Sequence, residues 1–153
     1  MSIDKNKPSN NNRCYQAAIR FLARREHSRL ELINKLKRKD FSEGVDLVSL
    51  CDELEALNYL SDARFTEMFI RSRSNRGQGE IKIHYELRQR GIAEALIKTA
   101  FSQADINWLK LAKQQREKRF GIRIPKDIKE KARQARFLMG RGFSGEIIRS
   151  VFN

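Results

Sequence analysis

Cysteine, histidine, proline and tryptophan are all scarce in this sequence: two, two, two and one in 153 residues. Cys14 and Cys51 stand far apart with no CxxC around them, and His27 and His84 are equally scattered. That spacing supports neither a disulfide framework nor a clustered metal site. Both cysteines are expected to be small buried apolar groups in a reducing compartment. No apolar run approaches the ~18–20 residues needed to cross a bilayer. The opening residues 1–12 have no apolar h-region, so no secretory signal is expected. Acid is short as well: 19 Asp and Glu face 32 Lys and Arg, leaving a net charge of +13. The expectation is a soluble cytoplasmic chain, away from membranes, that is attracted to polyanions or acidic protein surfaces.

Catalytic motifs are missing too. Gly77-Gln78-Gly79 only superficially resembles a phosphate loop, because Lys82 occupies the place of the third glycine and no strand precedes it. There is no Walker A, HExxH or GxSxG sequence. His27 beside Glu26 has no nucleophile at a diagnostic spacing and reads as a surface or capping residue. Neither an enzyme nor a cofactor is expected.

What is present is helical periodicity. Phe21/Leu22, Leu32/Ile33/Leu36, Leu50/Cys51/Leu54, Phe65/Met68/Phe69, Ile83/Leu87, Leu96/Ile97, Leu109/Ala112, Ala135/Leu138 and Ile147/Ile148 recur at three- and four-residue steps. No stretch alternates with period two, so the fold class is all-α. Ser28-Arg29-Leu30-Glu31 has the form of a capping box, and Ser61-Asp62 suits a helix start. Gly91 and Gly142 each follow a helical stretch, where a left-handed cap favours glycine. Tyr59, Phe65, Phe69, Tyr85 and Trp108 are expected mostly in the core, with Trp108 packing neighbouring repeats together.

An internal echo organises these helices. Leu36-Lys37-Arg38-Lys39-Asp40-Phe41, Leu87-Arg88-Gln89-Arg90-Gly91-Ile92 and Leu138-Met139-Gly140-Arg141-Gly142-Phe143 share one pattern, and their leading leucines recur every 51 residues. This predicts a disordered polar tail over 1–12, then helical repeats over 13–60, 61–108 and 109–153. Three tandem three-helix repeats would stack into an elongated, curved array, most simply as a monomer.

Charge is uneven along the repeats. Of the +13, residues 109–153 hold +9, whereas 41–60 carry five acids and no base. The acidic helix (Asp52, Glu53, Glu55) reads as a solvated face. The bases cluster at helix ends: Arg24 and Arg25; Lys35, Arg38 and Lys39; Arg71, Arg73 and Arg76; then Arg116, Lys118, Arg119 and Arg123. Lys126, Lys129, Arg133 and Arg136 follow along one helical face. Like-charge repulsion on this scale has no structural return, so these sixteen residues are the candidate contacts for a polyanion or an acidic partner.

The order of motifs is similar to that of the RecX family of recombination regulators. The resemblance rests on Leu22-Ala-Arg-Arg-Glu-His27-Ser28, on Glu31-Leu32-x-x-Lys35-Leu36 and on Tyr59-Leu60-Ser61-Asp62-Ala63-Arg64-Phe65. It continues through Arg71-Ser72-Arg73-x-x-x-Gly77-x-Gly79, Glu86-Leu87-x-x-Arg90-Gly91-Ile92 and Arg136-Phe137-Leu138-x-x-Arg141-Gly142-Phe143. Asn58 departs from the glycine usual before the tyrosine, and Ser61 from the common acid. The resemblance implies three three-helix repeats. It also implies binding to the RecA recombinase, chiefly as a filament on DNA, with inhibition of its ATPase, strand exchange and coprotease activities. It brings no cofactor and no catalytic residue. Weaker non-specific binding to single- and double-stranded DNA is expected alongside. The competing reading is a stand-alone basic DNA-binding or architectural protein; an RNA-associated protein fits the composition and explains none of the motifs.

Overall fold

The computed structural model describes residues 8–153, and all regular structure among them is helical. Nine α-helices follow in order: α1 (Asn10–Arg24), α2 (Arg29–Lys37), α3 (Leu47–Ala56), α4 (Asp62–Asn75), α5 (Glu80–Gln89), α6 (Glu94–Ala104), α7 (Trp108–Phe120), α8 (Ile128–Arg141) and α9 (Gly145–Val151). No helix among the described residues is long and apolar enough to cross a membrane. The chain divides into two compact units, one reaching to Phe65 and the other spanning 66–153.

Helix α1 begins earlier than composition suggests. The asparagine run was expected to be part of a disordered tail, yet Asn10 to Asn12 form its first turn. Ser9 supplies the reason: its Oγ accepts from the Asn12 amide at 3.1 Å and satisfies one of the donors that a helix start leaves orphaned. Residues 1–7 of that tail lie outside the described residues.

In the first unit α1 packs on α2, and α2 on α3. Small side chains at the contact (Cys14, Ala17 and Ala18) let the helices close on Leu32, Leu36 and Leu54. Both cysteines are free and buried. Burial raises the Cys14 thiol and pushes Cys51 up to about 11, so neither is a thiolate near neutrality. Ser28 caps α2 as expected, accepting from the Glu31 amide at 3.1 Å. Ser61 accepts from the Arg64 amide at the head of α4 in the same way. Asn58 has φ 63°, which accounts for its standing where a glycine is usual: asparagine tolerates the left-handed region better than most residues.

His27 is buried, not the surface residue its position suggested. Its Nδ1 lies 3.1 Å from the Arg25 carbonyl and its Nε2 2.8 Å from Lys35 Nζ. A neutral ring satisfies both contacts, Nδ1 donating to the carbonyl and Nε2 accepting from the ammonium. Burial holds the imidazole below its ordinary 6.5, and the charges of Arg25 and Lys35 push the same way. In the unfolded chain the ring takes up its proton more readily than in the native one. Its contribution to stability is therefore complete above pH 6.5 and is lost as pH falls from there through the depressed native value. Thermal unfolding at about pH 7.5 and about pH 5 should show a larger drop for the wild type than for His27→Gln. Equal drops would mean that a neutral imidazole contributes nothing to this fold.

In the second unit α7 packs against α9 and α8 around Ala112, Leu138, Phe143 and Ile148. Trp108 does join adjacent repeats, its ring packing into this core and 5.7 Å from that of Phe101 in α6. A second connection is made by backbone. The amides of Gly79 and Ile81, at the start of α5, donate to the carbonyls of Arg141 and Gly142, each at 2.8 Å. In return Glu80 accepts from the Ser144 amide at 3.0 Å. Helix α8 thus presents its electronegative C-terminal carbonyls to the electropositive N-terminus of α5, and each end satisfies the other's orphaned groups. Gly79, the last residue of the false phosphate loop, is part of this latch.

Candidate functional site

The bases assigned from sequence are carried by both units, and the structure sorts them by what they touch. In the first unit the end of α1 and the turn after it, with the end of α2, bring Arg24, Arg25 and Arg38 within electrostatic reach of Lys35. Burial lowers the Lys35 ammonium, the charges of Arg25, Arg24 and Arg38 lower it further, and Glu31 opposes them. Arg25 is held by Glu31 at 2.8 Å and by the Glu26 carbonyl. Lys35 and Lys39 both lie over the Phe21 ring, at 4.9 and 5.6 Å. Arg24 and Arg38 remain exposed beside them.

In the second unit Arg71, in the C-terminal half of α4, and Arg76, just past its end, are exposed. Arg73 is turned inward, 4.7 Å over Phe69 and 3.8 Å from Glu86. Arg90 lies over the same ring at 4.7 Å.

The third repeat carries most of the surplus. Lys118, Arg119, Arg123, Lys126, Lys129, Arg133 and Arg136 are all exposed. Aromatic rings of α7 and α8 organise this face. Phe120 meets Phe137 edge-on at 5.3 Å, Arg133 lies 4.9 Å over Phe120, and Arg119 and Arg141 lie 5.8 and 5.6 Å over Phe137. Arg133 is also bidentate to Glu130, at 3.0 and 2.9 Å, and those bonds hold the Glu130 carboxyl below its usual range. Its charge is largely answered within the fold. The charge offered outward comes from Lys118, Arg123, Lys126, Lys129 and Arg136, with Lys126 in the loop before α8 rather than on the helical face its spacing suggested.

Arg116 must be removed from the set. It is 1% exposed, and its guanidinium donates to the carbonyls of Ile122 at 3.0 Å and Arg123 at 3.2 Å and to Gln134 Oε1 at 3.3 Å. The physical reason is register: Leu109, Ala112 and Arg116 fall on one stripe of α7, so the arginine enters the core with its neighbours.

Sequence reasoning also left out Arg90 and Arg141. For Arg141 the four-residue step from Phe137 was a usable signal, since i and i+4 share a helix face; Arg90 reaches Phe69 from the end of another helix, a tertiary contact that no local spacing records. The acidic helix is more than a solvated face, because Asp52 and Glu55 of α3 both pair with Arg29 Nη1, at 2.8 and 3.1 Å. Tyr59 and Tyr85, expected in the core, are exposed. No group of His, Cys, Asp or Glu among the described residues is placed to hold a metal ion.

Comparison with known proteins agrees with the three helical repeats. Family models for the first, second and third three-helix domains of RecX match residues 14–45, 61–100 and 105–152. The chain is 44% identical over 135 residues to the regulatory protein RecX of Halorhodospira halophila, covering 88% of this chain and 83% of that one. With the regulatory protein RecX of Legionella pneumophila it shares 39% identity over 140 residues, 92% and 93% of the two chains. In fold it is similar to the crystal structure of RecX from Lactobacillus salivarius, with TM-score 0.77 and 22% identity over 93% of this chain and 94% of that one. Three helical domains matched in order and identities near 40% over almost the whole length leave one assignment: the chain belongs to the RecX family of non-enzymatic regulatory proteins.

Proposed function

We propose that this chain binds the RecA recombinase, mainly as the RecA–DNA filament, and restrains it. The observation that carries the reading is a third repeat with exposed bases that the fold does not neutralise, in a member of a family of regulators. Bases on all three repeats would touch successive protomers and approach the bound DNA, in the helical groove or at the filament end. Occupying the groove blocks a second DNA and holds protomers against the motions that accompany ATP hydrolysis. Inhibition of the ATPase, strand exchange and coprotease activities follows from that one contact. No cofactor takes part, and the chain acts as a monomer in the cytoplasm.

The contacts proposed are Arg24, Arg38 and Lys39; Arg71 and Arg76; and Lys118, Arg119, Arg123, Lys126, Lys129 and Arg136. Arg25, Lys35, Arg73 and Arg133 support them through the pairings already described. Lys126, Lys129 and Arg136 reversed to Glu together should weaken co-sedimentation with RecA filaments about tenfold or more, with helix content unchanged. The ATPase titration should shift by the same factor. Unchanged inhibition would take this face out of the contact.

A stand-alone DNA-binding role draws on the same bases and shares their salt dependence, since each phosphate contact adds about −0.9 to the log–log slope on duplex. Affinity for naked DNA at physiological salt equal to that for the filament would favour it.

A further inference from the structure

The connection between α7 and α8 is built unlike an ordinary surface loop. It leaves α7 at Gly121, whose φ of +87° turns the chain, and then sends isoleucines outward. Ile122 and Ile128 are each 82% exposed, and Ile124 between them is 43% exposed. One exposed isoleucine needs no explanation. Three within seven residues are a patch of the kind that marks an interaction surface.

The backbone beneath them is fixed. Buried Arg116 donates to the carbonyls of Ile122 and Arg123, and Gln134 of α8 holds the guanidinium by accepting from the same Nη1 that serves Arg123. Gln134 passes the contact on, its Nε2 donating to Glu130 at 3.1 Å. A slack loop would let the isoleucines fold back over their own core. This one holds them out, so their exposure is a feature of the packed state and their ordering costs little on binding.

Exposed cations surround the patch: Arg119, Arg123, Lys126 and Lys129, with Asp127 the one exposed acid in 119–129. We propose that the α7–α8 loop and Ile128 form a protein-docking prong whose partner is an acidic protein surface with apolar pockets. Apolar anchors ringed by complementary charge are how a protein interface combines affinity with orientation. Single-stranded nucleic acid is a poorer match, since isoleucine has no flat face on which a base can stack. A membrane surface is poorer too, because the segment is a short loop with no interfacial aromatic residue.

The inference rests on the filament reading and divides its labour, giving the prong to protein and the remaining bases to DNA. The test is the double variant Ile122→Ser/Ile128→Ser against three probes: RecA filaments on single-stranded DNA, naked single- and double-stranded DNA, and phosphatidylglycerol vesicles. Filament binding should weaken by about tenfold to a hundredfold. Naked-DNA affinity and helix content should not change. Equal filament binding by variant and wild type overturns the inference alone. So does a parallel loss on naked DNA or on vesicles. A wild-type chain that fails to bind filaments removes the filament reading, and this inference with it.

Discussion

Gly142→Ala is expected to destabilise residues 66–153 by about 3 kcal/mol or more, read as a fall in the urea midpoint. Two costs combine at this position. Its φ of +96° is a conformation that a side chain resists, which alone costs about 1 kcal/mol or more. A Cβ there would also stand 2.2 Å from the Lys82 Cβ and 2.9 Å from the Lys82 amide nitrogen. No side-chain rotation relieves an overlap with backbone, so α5 has to move away. Moving it breaks the bonds from Ile81 and Lys82 to the Gly142 carbonyl and strains the Glu80–Ser144 contact. Gly79→Ala should behave alike without needing a special φ, because its Cβ would meet the Gly142 carbonyl carbon at 2.4 Å. Gly140→Ala is the internal control. It lies in α8, two residues before Gly142, with nothing within 4 Å of its Cβ, and there alanine should be neutral or stabilising by about 0.5–1 kcal/mol. Similar midpoints for all three variants would mean that the second and third repeats do not depend on this backbone latch.

The latch marks where sequence stops being enough. The three helical repeats, the Ser28 and Ser61 caps and the left-handed Gly91 and Gly142 were legible because each has a local cause: periodicity, a hydroxyl one turn before an amide, a residue without Cβ. Gly79 was visible only as a glycine near another. Its partner lies across a repeat boundary, and no local pattern records which backbone will approach it. Tyr85 is a different kind of miss. It stands two residues from both Ile83 and Leu87, which are buried, so the helical wheel places it on the opposite face with Ile81. Counting apolar residues hid what their phase would have shown. His27 was misplaced for the converse reason: its burial depends on Lys35 arriving from the next helix, a tertiary contact that makes a polar ring affordable in the core.

The basic face was legible as composition and only partly as geometry. A run of arginines and lysines reads as one undifferentiated surface, whereas the fold assigns its members distinct tasks. Glu130 engages Arg133, phenylalanine rings receive Arg119 and Arg141, and Arg116 is withdrawn altogether. What stays available is a smaller set than the net charge suggests, which is why the triple reversal omits Arg133.

Arg116→Met should lower stability by about 2 kcal/mol and speed hydrogen exchange across residues 121–128, with little change elsewhere in α7. Methionine keeps the length and apolar volume of the stem, so packing loss is small. Three oxygens lose their donor: the carbonyls of Ile122 and Arg123 and Oε1 of Gln134. Removing a buried charge relieves its desolvation, which works in the variant's favour. The orphaned acceptors outweigh that relief because Gln134 is itself buried and cannot turn to water. Arg116→Lys separates charge from geometry. It keeps the cation yet cannot span three acceptors in a fork, and it buries an ammonium that is more strongly hydrated than a guanidinium. Lysine is therefore expected to be no better than methionine, although it is the conservative exchange on paper. If Arg116→Met proved fully stable, with exchange at 121–128 unchanged, the loop would be held by Gly121 and Pro125 alone. The isoleucines would then owe their exposure to local chain sterics, and the guanidinium beneath them would be cargo of the helix rather than its brace.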